Sequence, residues 1–327
     1  MKTKNLTKFF MFFFLNKEES KNVENKRHEK NVVTKVVSTL KKIFPHNFRY
    51  EIGEVNEGGN KTRFYWNIEA IKALKDVESE KRLATESEQK TMSRYAGWGG
   101  IPQAFDKNAK GWEKEYAELQ EMLTDEEYAN ARASVNNAFY TNPEIARAVN
   151  ETLTRFGLKK GNILEPSMGT GIFFGTMTEG EQKERKLYGV EIDPISGRIA
   201  KQLYQTSKIN ICGFENTTFS DNFFDAVIGN VPFGDFKVYD LRYAKYNFKI
   251  HDYFVAKSID LVRPGGVVAV ITSKFTMDKG NAAFRKYIAE RAELIGAVRL
   301  PDSAFRGVAG TEITSDILFF QKKEKLG

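Results

Sequence analysis

From Phe139 onward, short apolar runs alternate with stretches of helical period. The runs fall at 162–165, 187–191, 209–212, 224–229, 266–272, 294–299 and 313–320. Helical spacing covers roughly 171–178, 195–205, 251–262 and 281–290. Such alternation predicts an α/β fold, a doubly wound sheet of seven strands, with the last two forming a reversed, antiparallel edge. Ligands in such sheets bind outside the carboxyl ends of the strands, near the switch in strand order.

Before Phe139 the pattern is helical. Ile68, Ile71 and Leu74 mark one element, and Thr124-x-x-Glu127 reads as the capping box of another. Between them, Tyr95-Ala96-Gly97-Trp98-Gly99-Gly100-Ile101-Pro102 has too many glycines for a helix. Trp98 there can stack on a base, cover a cofactor or anchor the turn to the core. Residues 1–60 read as a basic, poorly ordered lead-in, with Val32, Val36, Leu40 and Ile43 spaced for one amphipathic helix. The expected domains are therefore the lead-in 1–60, a helical extension 61–138 and a catalytic domain 139–327.

The junctions between runs carry the chemistry. Asn162–Phe173 reads as a buried strand, a Gly-rich turn at Gly169 and Gly171, and a helix start; glycines there let the backbone approach a ligand closely. A second strand, Leu187–Glu191, ends in a carboxylate about 26 positions after Glu165, near the offset expected for a ribose-diol ligand. Asp193 is expected to cap the helix starting at Pro194. The run 224–229 leads into Asn230-Val231-Pro232-Phe233. The Asn230 side-chain oxygen can accept one N–H of a planar amine and the Val231 carbonyl the other, while Pro232 fixes the backbone and Phe233 offers a stacking face. A strand-ending turn that uses Asn and Pro for geometry alone is the alternative.

The ordered set Glu165-Pro166-Ser-x-Gly-Thr-Gly171, Gly189-Val-Glu-Ile-Asp193 and Asn230-Val-Pro-Phe233 resembles the S-adenosylmethionine-dependent, adenine-specific DNA methyltransferases that act on amino nitrogen. It is most similar to the methylase module at the start of very large methylase/helicase proteins of phages and conjugative elements. The resemblance covers about residues 60 to 322 and is strongest from Phe139 to Thr272. It implies the Rossmann-like methyltransferase sheet, S-adenosylmethionine as cofactor, and a flipped adenine in DNA as substrate. Phe139-Tyr140-Thr141 resembles the segment that closes over the methionine part of the cofactor. Thr141-x-x-Glu144 also reads as a capping box, with Pro143 in the first turn of the helix through Ala146, Val149 and Leu153. Gly213-Phe214-Glu215 resembles the motif whose acid accepts from the cofactor's adenine amine; a solvated loop carboxylate is the alternative.

The implied catalytic set is Asn230, Val231, Pro232 and Phe233. The implied cofactor set is Tyr140, Thr141, Glu165, Pro166, Gly169, Gly171, Glu191 and Glu215. Two departures stand out: the commoner tetrapeptide has Pro where this chain has Val231, and Tyr where it has Phe233. Relatives with this motif order usually carry a DNA-reading domain after the catalytic one, so a downstream helicase or DNA-recognition domain is an expected partner. Glutamine-amide methylation of a protein, which asks the same of an Asn-x-Pro-aromatic pocket, and a noncatalytic DNA-binding module are the competing readings.

Composition adjusts this picture in three places. The net charge is +7, but residues 1–50 carry +8 and the remainder −1. The basic tail is thus either an electrostatic arm for DNA or a solvated lead-in. In the loop from Gly234 to Ile250, Lys237, Arg242, Lys245 and Lys249 interleave with Phe236, Tyr239, Tyr243, Tyr246 and Phe248. That mixture suits an extruded nucleotide, or a loop pinned by its aromatics. The lone Cys212 excludes an internal disulfide, and His28, His46 and His251 form no metal-ligand spacing. Phe9–Leu15 is too short to span a bilayer and is followed by Lys17-Glu18-Glu19 without a small-residue cleavage site, so a cytoplasmic protein is expected.

Overall fold

A computed structural model describes residues 44–53, 58–135, 141–278, 280, 282–301 and 314–324. Among the described residues four α-helices come first: α1 (Asn60–Ser79), α2 (Glu86–Met92), α3 (Glu113–Met122) and α4 (Asp125–Ser134). Thr124 caps α4 with the expected reciprocal bonds to Glu127. Then follow α5 (Pro143–Arg155), β1 (Gly161–Glu165), α6 (Ile172–Gly175), α7 (Glu179–Glu184), β2 (Arg185–Glu191), α8 (Pro194–Leu203), β3 (Lys208–Ile211) and β4 (Phe224–Asn230). The chain closes with α9 (Ile250–Leu261), β5 (Val262–Ser273), α10 (Phe275–Asp278), α11 (Ala283–Arg291), β6 (Ala292–Arg299) and β7 (Ser315–Lys322).

The seven strands form one sheet in the order β3-β2-β1-β4-β5-β7-β6. The first five run parallel, and β7 lies antiparallel between β5 and β6. Only β7 is therefore reversed; the edge strand β6 returns to the common direction. The order switches between β1 and β4, which opens a crevice at their carboxyl ends.

Alternation along the strands divides the interior into two apolar layers. Val267, Ala269 and Ile271 of β5 and Ile317 and Phe319 of β7 lie in the layer that also holds apolar residues of α1, α5 and α8. Val268, Val270, Leu318 and Phe320 face α9 and α11. The N-terminal helices share the first layer: Phe64, Ile68, Ile71 and Leu74 of α1 lie in one cluster with Ile195 and Ile199 of α8. Arg198 of α8 reinforces this by bridging Glu78 of α1 and Glu127 of α4 at 2.9 and 2.7 Å. Residues 46–50 also dock here, with Phe48 N–H donating to the Leu203 carbonyl and Tyr50 N–H to the Gly175 carbonyl.

Two local expectations need correction. The helix expected over 171–178 is shorter, α6 over Ile172–Gly175, and Thr178 and Glu181 form the capping box of a separate helix, α7, that starts beyond it. The capping box expected of Thr141 and Glu144 is absent: Asn142 caps α5, accepting from the Glu144 N–H at 2.8 Å, with Pro143 in the first turn. Asparagine is at least as good a cap as threonine, and its use leaves the Thr141 side chain buried elsewhere.

Candidate functional site

A cavity of about 490 Å³ lies over the switch point, within the range of small-molecule sites. Its wall includes Glu165, Pro166 and Gly169 after β1, Glu191 at the end of β2, Glu215 after β3, and Asn230, Val231, Pro232 and Phe233 at the end of β4. Thr141, 5% exposed, joins them from the segment before α5. Tyr140 lies outside the described residues. Gly171 is set back from the wall. Its φ is +83°, and a Cβ there would sit 2.4 Å from Cε2 of Tyr204, whose hydroxyl donates to the Gly171 carbonyl. The second glycine of the turn is thus required by packing against Tyr204.

Glu191 is held from two sides. Its Oε2 accepts from the Gly169 N–H at 2.7 Å and its Oε1 from the Asp193 N–H at 2.8 Å. Burial nevertheless dominates, and pushes its pKa up to about 7. Glu165 is 1% exposed, and burial, with the Glu191 charge in second place, raises its pKa well above the ordinary value. Its Oε2 has no hydrogen-bond partner among the described residues. A buried carboxyl oxygen left without a partner on a cavity wall is a place for a donor supplied by a ligand. Asp193 does what the sequence suggested, capping α8 through Ser196.

The tetrapeptide is fixed by its backbone. The Ser167 hydroxyl donates to the Asn230 carbonyl at 2.9 Å, and the Val231 N–H donates to the Ile271 carbonyl at 3.0 Å, which carries the β4–β5 ladder one residue past the strand. Val231 is buried, whereas Pro232 and Phe233 are half-buried on the cavity wall. Phe233 also packs against both apolar layers, so the corner closes over the sheet's end.

The loop after the tetrapeptide divides. Tyr243 is buried with its hydroxyl on Asp260 at 2.7 Å, and Tyr246 stacks on Phe248 with ring centroids 5.1 Å apart. Arg242 pairs with Asp221 and Asp260, and Lys249 with Asp235. These residues pin the loop. Tyr239 and Phe236 stay exposed, and Phe236 borders the cavity. Trp98 is 1% exposed, edge-on to Phe105 at 5.4 Å, so it anchors its turn to the core.

The sequence did not single out Asn130 and Ser134 of α4, or Tyr95 and Gly97 of the turn before Trp98, as wall residues, yet all four line the cavity. Glycine density around Gly97 was the available signal; nothing in α4 distinguishes Asn130. Among the described residues, no group of His, Cys, Asp and Glu is arranged to hold a metal, and no helix is long and apolar enough to cross a membrane.

The family model for N-6 DNA Methylase matches residues 115–326. Defense against restriction protein B of Escherichia phage P1 is 34% identical over 190 residues, covering 56% of this chain and 8% of that protein. A Methanocaldococcus jannaschii protein named provisionally as a protein N5-glutamine methyltransferase is 26% identical over 155 residues, covering 44% of this chain and 78% of that protein. The chain thus spans under a tenth of the phage relative's length. The methyltransferase subunit of a type I restriction-modification system from Streptococcus thermophilus superposes with a TM-score of 0.50 at 13% identity, covering 80% of this chain and 79% of that one. At that identity the likeness is one of fold, the seven-stranded α/β methyltransferase sheet.

Proposed function

The chain belongs to the N-6 DNA methylase family, and from that premise we propose that it transfers a methyl group from S-adenosylmethionine to the exocyclic amine of adenine in DNA. The observation that carries the reading is a single cavity shared by the Gly169 turn, the carboxylates of Glu165 and Glu191, and the Asn230–Phe233 corner. The residues fit the cofactor: Glu191 suits a ribose diol, Glu215 an adenine amine, and the partnerless Oε2 of Glu165 a cationic amino group. When bound, S-adenosylmethionine supplies an electrophilic methyl on a sulfonium centre.

The protein's part is orientation. Adenine's amine is a weak nucleophile because its lone pair is delocalised into the ring. Asn230 Oδ1 and the Val231 carbonyl accept its two hydrogens and turn the lone pair outward, with no ionisation required of either group. Their backbone is braced by Ser167 and Ile271. Phe233 stacks the base. The corner lines a recessed wall that a base stacked inside a duplex does not reach, so the reading calls for an extruded target. The partner in this reading is DNA, with Phe236 and Tyr239 as exposed aromatic faces on the loop that follows the corner. A helicase or DNA-recognition region in the same system would choose the sequence.

A protein glutamine amide meets the same two acceptors, and the M. jannaschii relative keeps that second reading open. Incubation with methyl-labelled S-adenosylmethionine, duplex DNA and protein extract separates them. Label in DNA supports the proposal; label in protein alone overturns it.

A further inference from the structure

The Tyr95–Pro102 turn has no part in the chemistry above, yet Tyr95 and Gly97 border the same cavity. One side chain bonds the turn's backbone at two points. Asn67, fully buried in α1, donates from Nδ2 to the Gly97 carbonyl at 2.6 Å and accepts at Oδ1 from the Ala96 N–H at 2.8 Å. One amide thus takes both backbone partners, and locks two successive residues at the point where the turn meets the cavity. Gly97 has a φ of +62°, which suits glycine, and Trp98 roots the next residue among Phe64, Tyr95 and Phe105. The clamp fixes the backbone of two successive residues, one buried and one half-buried.

The side of the cavity follows from the layers. α1 packs with Phe173 after the Gly169 turn and with Ile195 of α8, which begins directly after the Glu191 strand. α4, carrying Asn130 and Ser134, is tied to α8 by the Glu127–Arg198 pair. The loop after the tetrapeptide packs instead in the opposite layer, with Tyr243 and Phe248 against α9 and α11. The turn and α4 therefore wall the half of the cavity that holds the glycine turn and Glu191.

We propose that the Tyr95–Gly97 turn and the Asn130–Ser134 face of α4 form a second wall of the S-adenosylmethionine pocket, with Asn67 as the residue that positions it. This rests on the reading of the cavity as a methyl-donor pocket. The N-terminal helical layer is then a functional part of the pocket, because Tyr95, Gly97, Asn130 and Ser134 add to the wall made by the strand ends.

The test measures the dissociation constants of S-adenosylmethionine and S-adenosylhomocysteine on the full chain, with thermal unfolding and turnover at saturating cofactor beside them. Asn67→Leu, similar in volume, removes both bonds and leaves the Gly97 carbonyl and Ala96 N–H unpaired. The expected result is cofactor affinity weakened at least tenfold, with turnover at saturation falling much less. Asn67→Asp, which keeps the bond from Ala96 and loses the one to Gly97, should fall between. Asn130 is half-buried on the α4 surface, so Asn130→Ala should fold even if Asn67→Leu does not, and should weaken affinity severalfold. Folded variants with wild-type affinity overturn the proposal while leaving the donor pocket intact, as does a loss confined to turnover. Failure of the wild-type protein to bind either ligand overturns the pocket reading itself.

Discussion

Binding of the methyl donor should expel a proton from the site, and the amount can be worked from Glu191. Burial holds its pKa near 7, against two N–H groups that favour the charge. At pH 6 a carboxyl group with that value is about nine-tenths protonated, since one unit gives a ratio of about ten. A ribose diol donates to the ionised, acceptor-only form, and a sulfonium stabilises it further. A return to the ordinary value of 4.5 releases on the order of 0.9 proton per ligand at pH 6 and about 0.1 at pH 8. The same shift sets the pH dependence of the free protein. A folded pKa above the unfolded one gives a contribution fully present below about pH 4.5 and lost as pH rises through about 7. A shift from 4.5 to about 7 corresponds to on the order of 3 kcal/mol, and the raised Glu165 acts in the same direction. Calorimetric titrations at pH 6 in two buffers of different ionisation enthalpy read the proton directly. Identical heats in both buffers at pH 6 would refute the reasoning, as would a release left undiminished by Glu191→Gln.

Asn230→Ala should lower turnover by about 10²–10³, the scale of losing one oriented dipole in a transition state, while cofactor affinity stays within about twofold. Loss of cofactor binding in that variant would contradict the division of roles. Gly171→Ala brings a Cβ to 2.4 Å from Tyr204 at a φ of +83° and should cost about 2–5 kcal/mol in urea unfolding. Gly180→Ala in α7, with nothing within 4 Å, is the control and should change stability by at most about 1 kcal/mol. Thr124→Ala removes the α4 cap and should cost about 1 kcal/mol in the same assay.

The sheet was legible because strands buried on both faces write themselves as unbroken apolar runs. β1, β2 and β4 end within a residue of their expected positions, and those ends carry Glu165, Glu191 and Asn230. β5 begins at Val262, earlier than expected, because exposed Arg263 and Pro264 interrupt the apolar signal, and Gly265 at a φ of +74° marks an irregularity before the regular ladder resumes at Val267. Strand direction at the edge was not readable: β6 and β7 are alike in composition, and only their pairing shows that β7 alone is reversed. Gly171 and Gly169 look equivalent in sequence, yet one faces Tyr204 and the other donates to Glu191. The aromatics of the 234–250 loop likewise divide between core and surface by tertiary contacts that spacing cannot encode. Asn130 and Asn67 lie far from any motif, since their place in the site depends on how the helical layer packs on α8.

The most direct measurement is nucleoside analysis of DNA methylated by the wild-type protein and by Asn230→Ala. DNA free of prior methylation is incubated with the methyl donor, digested to nucleosides and resolved by mass spectrometry. The expected product is N6-methyladenine from the wild type, and almost none from Asn230→Ala at saturating cofactor. A methylated cytosine as the product, or N6-methyladenine formed equally by the variant, would contradict a mechanism in which Asn230 and the Val231 carbonyl hold the adenine amine.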